Sequence, residues 1–232
     1  MSSEAAGAAR VDADHTLSRI ESFSDIVIGF SLAQTALNLF IPPHPADFIA
    51  RPVGIIGFTF TFAVIATFWW THSAIFRHFF VINRMMVFFN FVALALIVLQ
   101  VFALQMWLHF GASQTDDVEA ARIYFGIFAL TQVTLALLSG LGMHYRWNEL
   151  RPALQQAGMR RTIQVAFRAA GILIGVLVPS AAGTLTVSAG AQGTARVFAV
   201  PLQILFGLIA GLIVGRIVAR ITVARMRARS PV

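Results

Sequence analysis

The chain has 232 residues, of which 58% are hydrophobic and only 12% charged, with a mean hydropathy of +0.78. Soluble domains carry about twice that share of charge, so the composition excludes an ordinary soluble domain and indicates an integral membrane protein. The net charge of +7 rests on 17 basic side chains, all of them arginine. They flank apolar runs instead of gathering in one polar module, which argues against nucleic-acid binding and for topology signals.

In chain order, residues 1–17 (MSSEAAGAARVDADHTL) are small and polar with no apolar centre. They read as a disordered cytoplasmic tail and not as a secretory signal. The next two hundred or so residues, 18–220, form the span domain, and 221–232 form a basic cytoplasmic tail. Six apolar runs near 20–41, 53–72, 85–109, 121–144, 162–180 and 196–218 each approach the roughly 20 residues needed to cross a bilayer core. The predicted fold class is all-α, with six transmembrane helices per chain. Pro42, Pro43 and Pro45 end the first run, because proline cannot continue a helix. Gly171 and Gly175 in the fifth run, and Gly207, Gly211 and Gly215 in the sixth, stand at GxxxG spacing, which lets helix backbones approach closely in lipid. The first three runs and the last three show no internal repeat.

The arginines set a direction. With the N-terminus cytoplasmic, fourteen of them fall inside, and only Arg51, Arg122 and Arg196 fall outside with Asp116, Asp117 and Glu119. The positive-inside rule then places both termini in the cytoplasm.

The first run enters through SRIESFSD. Ser18 and Glu21 have the spacing of a capping box, which predicts a helix start at that point. Asp25 lies seven residues further in, where an unpaired carboxylate is costly, and Arg19 is too far round the helix to pair with it. Asp25 therefore requires a partner on another helix. Beyond it, Ser24, Ser31, Gln34, Thr35 and Asn38 share one face at helical spacing. Such residues either bond neighbouring helices or line a wet path, and both readings stay open. Asn90, Gln100 and Gln105 in the third run read as interhelical bonding groups.

Catalytic signatures are missing: no HExxH, Walker A or GxGxxG stands in a suitable context, so no enzyme activity and no cofactor are expected. The chain has no cysteine, which removes disulfide and thiolate chemistry. His15, His44, His72, His78, His109 and His144 lack the i,i+4 pairing of a metal site, so no metal is expected. No carboxylate stands in the middle of a run, which argues against a proton-coupled transporter. No TVGYG-like segment provides a carbonyl filter.

Arg19, Phe23, Ser24 and Asp25 form RxxxFSD at the head of the first run, and the second run ends FWWTHSAIF, matching W-x-x-H-H-x-x-F at Trp69, His72 and Phe76. Asn90 stands six residues after Arg84. Over roughly residues 18–100 the chain resembles the transmembrane protein 175 family, endolysosomal potassium channels with bacterial six-span relatives. The resemblance implies a homotetramer in a bacterial plasma membrane, with the first helix of each chain lining a central pore and potassium as the permeant ion. In this reading Arg19, Phe23, Ser24, Asp25, Trp69 and His72 clamp the pore helix. The family's constriction, five, nine and twelve residues past the aspartate, corresponds to Phe30, Gln34 and Leu37. Ser31, Thr35 and Asn38 form an alternative polar pore face. The chain departs from the family's pattern in its pore run: IVIGFSLAQT stands where GVFAIAITLL is typical, and Ser73 follows His72. A non-conducting scaffold or sensor that keeps the fold is the alternative.

Overall fold

The computed structural model describes residues 3–37, 44, 53–110, 114–177, 184–188 and 196–229. Six helices and one two-stranded hairpin make up the described residues: α1 (Ser3–Leu37), α2 (Val53–His78), α3 (Arg84–Phe110), α4 (Gln114–Arg146), α5 (Pro152–Leu177), β1 (Thr184–Ser188), β2 (Arg196–Pro201) and α6 (Leu202–Arg229). Four of the six are long and apolar enough to cross a membrane: α2, α3, α4 and α6. The described parts of the other two carry more polar groups. α1 carries Arg19, Glu21, Asp25 and Gln34, and α5 carries Arg160, Arg161 and Arg168.

α1 differs from its expected outline. It runs unbroken for 35 residues from Ser3, so Ser18 lies in its interior and is not an N-cap, and the capping box with Glu21 does not form. The physical reason is composition: EAAGAARVDAD is rich in alanine, the best helix former, and it adjoins a helix already nucleated, so each added residue gains a bond without a new nucleus. The segment expected as a tail is therefore helical from Ser3. The three prolines at 42, 43 and 45, and Asn38, lie outside the described residues.

Cap chemistry explains the tight turns. α2 ends where Phe79 N–H and Phe80 N–H both donate to Ile75 O, at 2.7 and 2.9 Å. Asn83 caps α3, its Oδ1 accepting from Met86 N–H at 2.8 Å, the bond that satisfies an orphan donor of the first turn. After α4, Arg146 Nε donates to Glu149 Oε2 at 3.0 Å. Gln155 Nε2 donates to Trp147 O at 2.7 Å and Leu150 O at 3.2 Å. Pro152 opens α5, a position where its missing N–H is harmless.

The sixth run starts later than expected. Residues 196–201 are not helical but form β2, antiparallel to β1, with Thr184 opposite Pro201 and Val187 opposite Phe198. Alternating Thr and Val in TLTVS, and Val, Phe and Val in RVFAVP, suit a pleated strand better than a helix.

Packing falls into two regions. Ile28, Ile65, Phe68, Met86 and Ile97 unite α1, α2 and α3, with Leu135 and Leu138 of α4 closing that core. Leu104, Trp107, Tyr124, Ile172 and Ile204 join α3 to α4, α5 and α6. Between α5 and α6 the backbones themselves touch. A Cβ on Gly171 would meet the carbonyl of Gly207, and one on Gly175 would lie 2.6 Å from the Cα of Ile204. The glycine spacing read from sequence thus packs these two helices on each other.

Candidate functional site

A line of hydrogen bonds crosses three helices. His72 on α2 donates from Nε2 to Asn90 Oδ1 on α3 at 2.7 Å. Asn90 Nδ2 donates to Ser24 Oγ on α1 at 3.1 Å, and Ser24 O–H donates to Ile20 O, one turn back in α1, at 2.8 Å. Each step has one donor and one acceptor, so the line has a single direction, which places a proton on His72 Nε2 and sets the orientation of the Asn90 amide. All three side chains are buried, at 0%, 1% and 0% exposure for Ser24, His72 and Asn90. Their burial is tolerated because each side chain has a partner in the line, although His72 Nδ1 is buried without one. The His72 ring stacks on Phe76, with centroids 4.5 Å apart, and Phe76 on Phe80 at 4.0 Å. That aromatic column fixes the imidazole plane.

Asp25 finds its partner across the helix boundary: Trp69 Nε1 on α2 donates to Asp25 Oδ1 at 3.0 Å. Indole N–H is a donor only, and a charged acceptor strengthens the bond. Phe23, one residue before Ser24, is half-exposed and lies 5.9 Å from the ring of Phe91 on α3. Arg19 is exposed and stands apart from this network. Of the signature residues, the structure therefore brings Ser24, Asp25, Trp69 and His72 together, sets Phe23 at the edge and leaves Arg19 outside. Asn90, which the sequence marked only as a bonding group in the third run, is the centre of the line. Phe91 was not singled out. Its signal was faint, since a phenylalanine after the asparagine is one of many in an aromatic-rich helix.

The two faces of α1 separate cleanly. Ser31 and Thr35 are buried, and their hydroxyls donate back into α1, to Val27 O at 2.9 Å and Leu32 O at 2.6 Å. Ile28 between them is in the core. On the other side Ile26, Phe30 and Leu37 are 69%, 66% and 76% exposed, with Ala33 in the same stripe. Gln34 is half-buried at the border between the two.

Other polar groups serve packing. Gln100 Nε2 donates to Tyr124 O at 3.3 Å, and Tyr124 Oη pairs with Thr61 Oγ1 at 3.1 Å, tying α3, α4 and α2 together. Ser139 and Thr162 pair at 2.8 Å between α4 and α5. Among the described residues no three His, Asp or Glu side chains converge as a metal would need.

The segment that supplies this network is also the segment that matches a known family. The model of the family described as endosomal/lysosomal potassium channel TMEM175 matches residues 19–100, which run from Arg19 on α1 to Gln100 on α3. No curated protein sequence matches the chain.

Proposed function

We propose, from the premise that residues 19–100 belong to the TMEM175 potassium channel family, that four copies of this chain form a passive, potassium-preferring cation channel. It lies in a bacterial plasma membrane as a multi-pass protein with both termini cytoplasmic. The observation that carries the reading is the division of α1: its hydroxyl face is committed to its own protomer, and the stripe Ile26, Phe30 and Leu37 is left uncovered. Around a four-fold axis that stripe lines the pore, with Gln34 at its margin and the clamp residues holding the helix from behind. This supports Phe30, Gln34 and Leu37 as the constriction over Ser31 and Thr35.

No carbonyl filter is required. A ring of large apolar side chains gates by dewetting, and partial dehydration at a narrow ring separates one cation from another. The faces of four Phe30 rings add a favourable surface for a cation. α5 would complete the six spans, its arginines answered by groups outside the described chain.

The test is flux. Purified protein in potassium-loaded liposomes should collapse the gradient once a protonophore carries the counter-current. Tetramers that stay silent would sink the channel reading and leave the scaffold. Within an active channel, Phe30→Ala should raise flux or lower the preference for potassium over sodium, and Ser31→Ala should change neither. The opposite pattern would put the pore on the other face.

A further inference from the structure

From residue 150 to residue 232 the sequence holds ten arginines and neither an aspartate nor a glutamate. Many of those arginines belong to tails and turns, but α5 carries two half-buried ones, Arg161 and Arg168, and α6 carries the exposed Arg216. Arg161 Nη2 donates to Thr71 Oγ1 on α2 at 3.1 Å. Thr71 stands next to the end of the second apolar run, at its cytoplasmic edge. Arg168 is two turns further along the same face of α5, about 10 Å deeper than Arg161 at the helical rise. The close seating of α6 keeps Arg216 beside it. A Cβ on Gly211 would lie 3.1 Å from the Cα of Arg168, and one on Gly215 would lie 3.0 Å from Phe167 Cβ.

The three charges oppose one another: Arg161 feels Arg168, and Arg168 feels Arg216. Neither α5 nor α6 offers a carboxylate, and Arg168 Nε is buried without a hydrogen-bond partner. Intramembrane arginines are ordinarily paired. Among the described residues none of the three is in an ion pair, so a counter-charge from another molecule would satisfy them. Three forked donors suit an oxyanion with several acceptor oxygens, and the anions that a membrane presents beside its spans are lipid phosphates.

We propose that Arg161, Arg168 and Arg216 form a phosphate site for an anionic phospholipid, drawn in from the leaflet at the α5 N-terminus, with the Thr71 hydroxyl at its outer edge. The site does not depend on ion conduction, and lipid retention reads it without a flux measurement.

The experiment uses the full chain in detergent, titrated with phosphatidylglycerol, with phosphatidylcholine and with inorganic phosphate, and followed by native mass spectrometry and thermal stability. The wild-type chain should retain phosphatidylglycerol about ten-fold more tightly than phosphatidylcholine. Arg168→Gln with Arg216→Gln should abolish that preference. Arg216 is exposed, so Arg216→Gln alone should fold normally and reduce the preference by about three-fold. Arg84→Gln, at the head of α3, should leave it intact. Equal retention of both lipids by the wild-type chain would overturn the proposal, as would an equal loss in Arg84→Gln. Displacement of the lipid by inorganic phosphate would overturn the lipid source and assign the site to a soluble anion.

Discussion

The two ends of the bundle hold their helices together by opposite means. α1, α2 and α3 are joined through side chains: Asp25 to Trp69, and Ser24 to Asn90 to His72. α5 and α6 are joined through the absence of side chains, with Gly171 and Gly207 in mutual backbone contact. In lipid, apolar burial alone gives helices little reason to associate, so either directional bonds or close backbone contact must supply it. The difference lies in what each tolerates. A hydrogen-bonded joint is weak per bond but sets register and rotation, and so fixes which face of α1 turns away from its own protomer. A glycine seam is tight and insensitive to the identity of the residues around it, which suits a supporting pair.

Substitutions can break this contrast, beginning with the largest effect. Gly207→Leu drives a side chain into the backbone of α5, where nothing flexible can yield. The loss should reach about 3 kcal/mol or more, read as failure to fold or a large drop in thermal midpoint. Asn90→Leu removes both bonds at the centre of the line and strands the His72 N–H, and should cost about 1–3 kcal/mol. Unfolding in detergent measures it, and a neutral result would show that the line is incidental to α1. Trp69→Phe deletes only the indole N–H that binds Asp25. That bond is exposed, and membrane hydrogen bonds average about 0.6 kcal/mol, so a loss of that size is expected, with a double-mutant cycle against Asp25→Asn to isolate it. Phe30→Ala should move protomer stability least, within about 0.5 kcal/mol, since Phe30 is largely exposed in its own protomer, and it should alter flux most. A variant that destabilised the protomer and left flux unchanged would reverse the roles assigned to the two faces of α1.

Part of the hydrogen-bonded joint of α1, α2 and α3 was legible in the sequence. Asp25 had no local partner on α1, and that deficit alone required a donor on another helix. Trp69 and His72 were visible through the resemblance of FWWTHSAIF to the family pattern W-x-x-H-H-x-x-F. The role of Asn90 as the bridge was not, because a single asparagine in an apolar run bonds equally well to any helix that passes it. The helical start at Ser3 was obscured for a different reason: small polar residues read as a tail, yet alanine-rich sequence extends a nucleated helix at little cost. The β1–β2 hairpin escaped notice because short apolar runs fit strand and helix alike.

By itself the sequence determined that this is a membrane protein, that glycines join the last two helices, and that Asp25 must be answered from elsewhere. These follow from composition and spacing along one chain. Only the tertiary structure decided which face of α1 turns inward. A helix in lipid can pack through its polar or its apolar side, and periodicity defines the two faces without ranking them. The neighbours of Ser24, Ile28, Ser31 and Thr35 took the inward face, and Phe30 and Leu37 were left for whatever lies beyond the protomer.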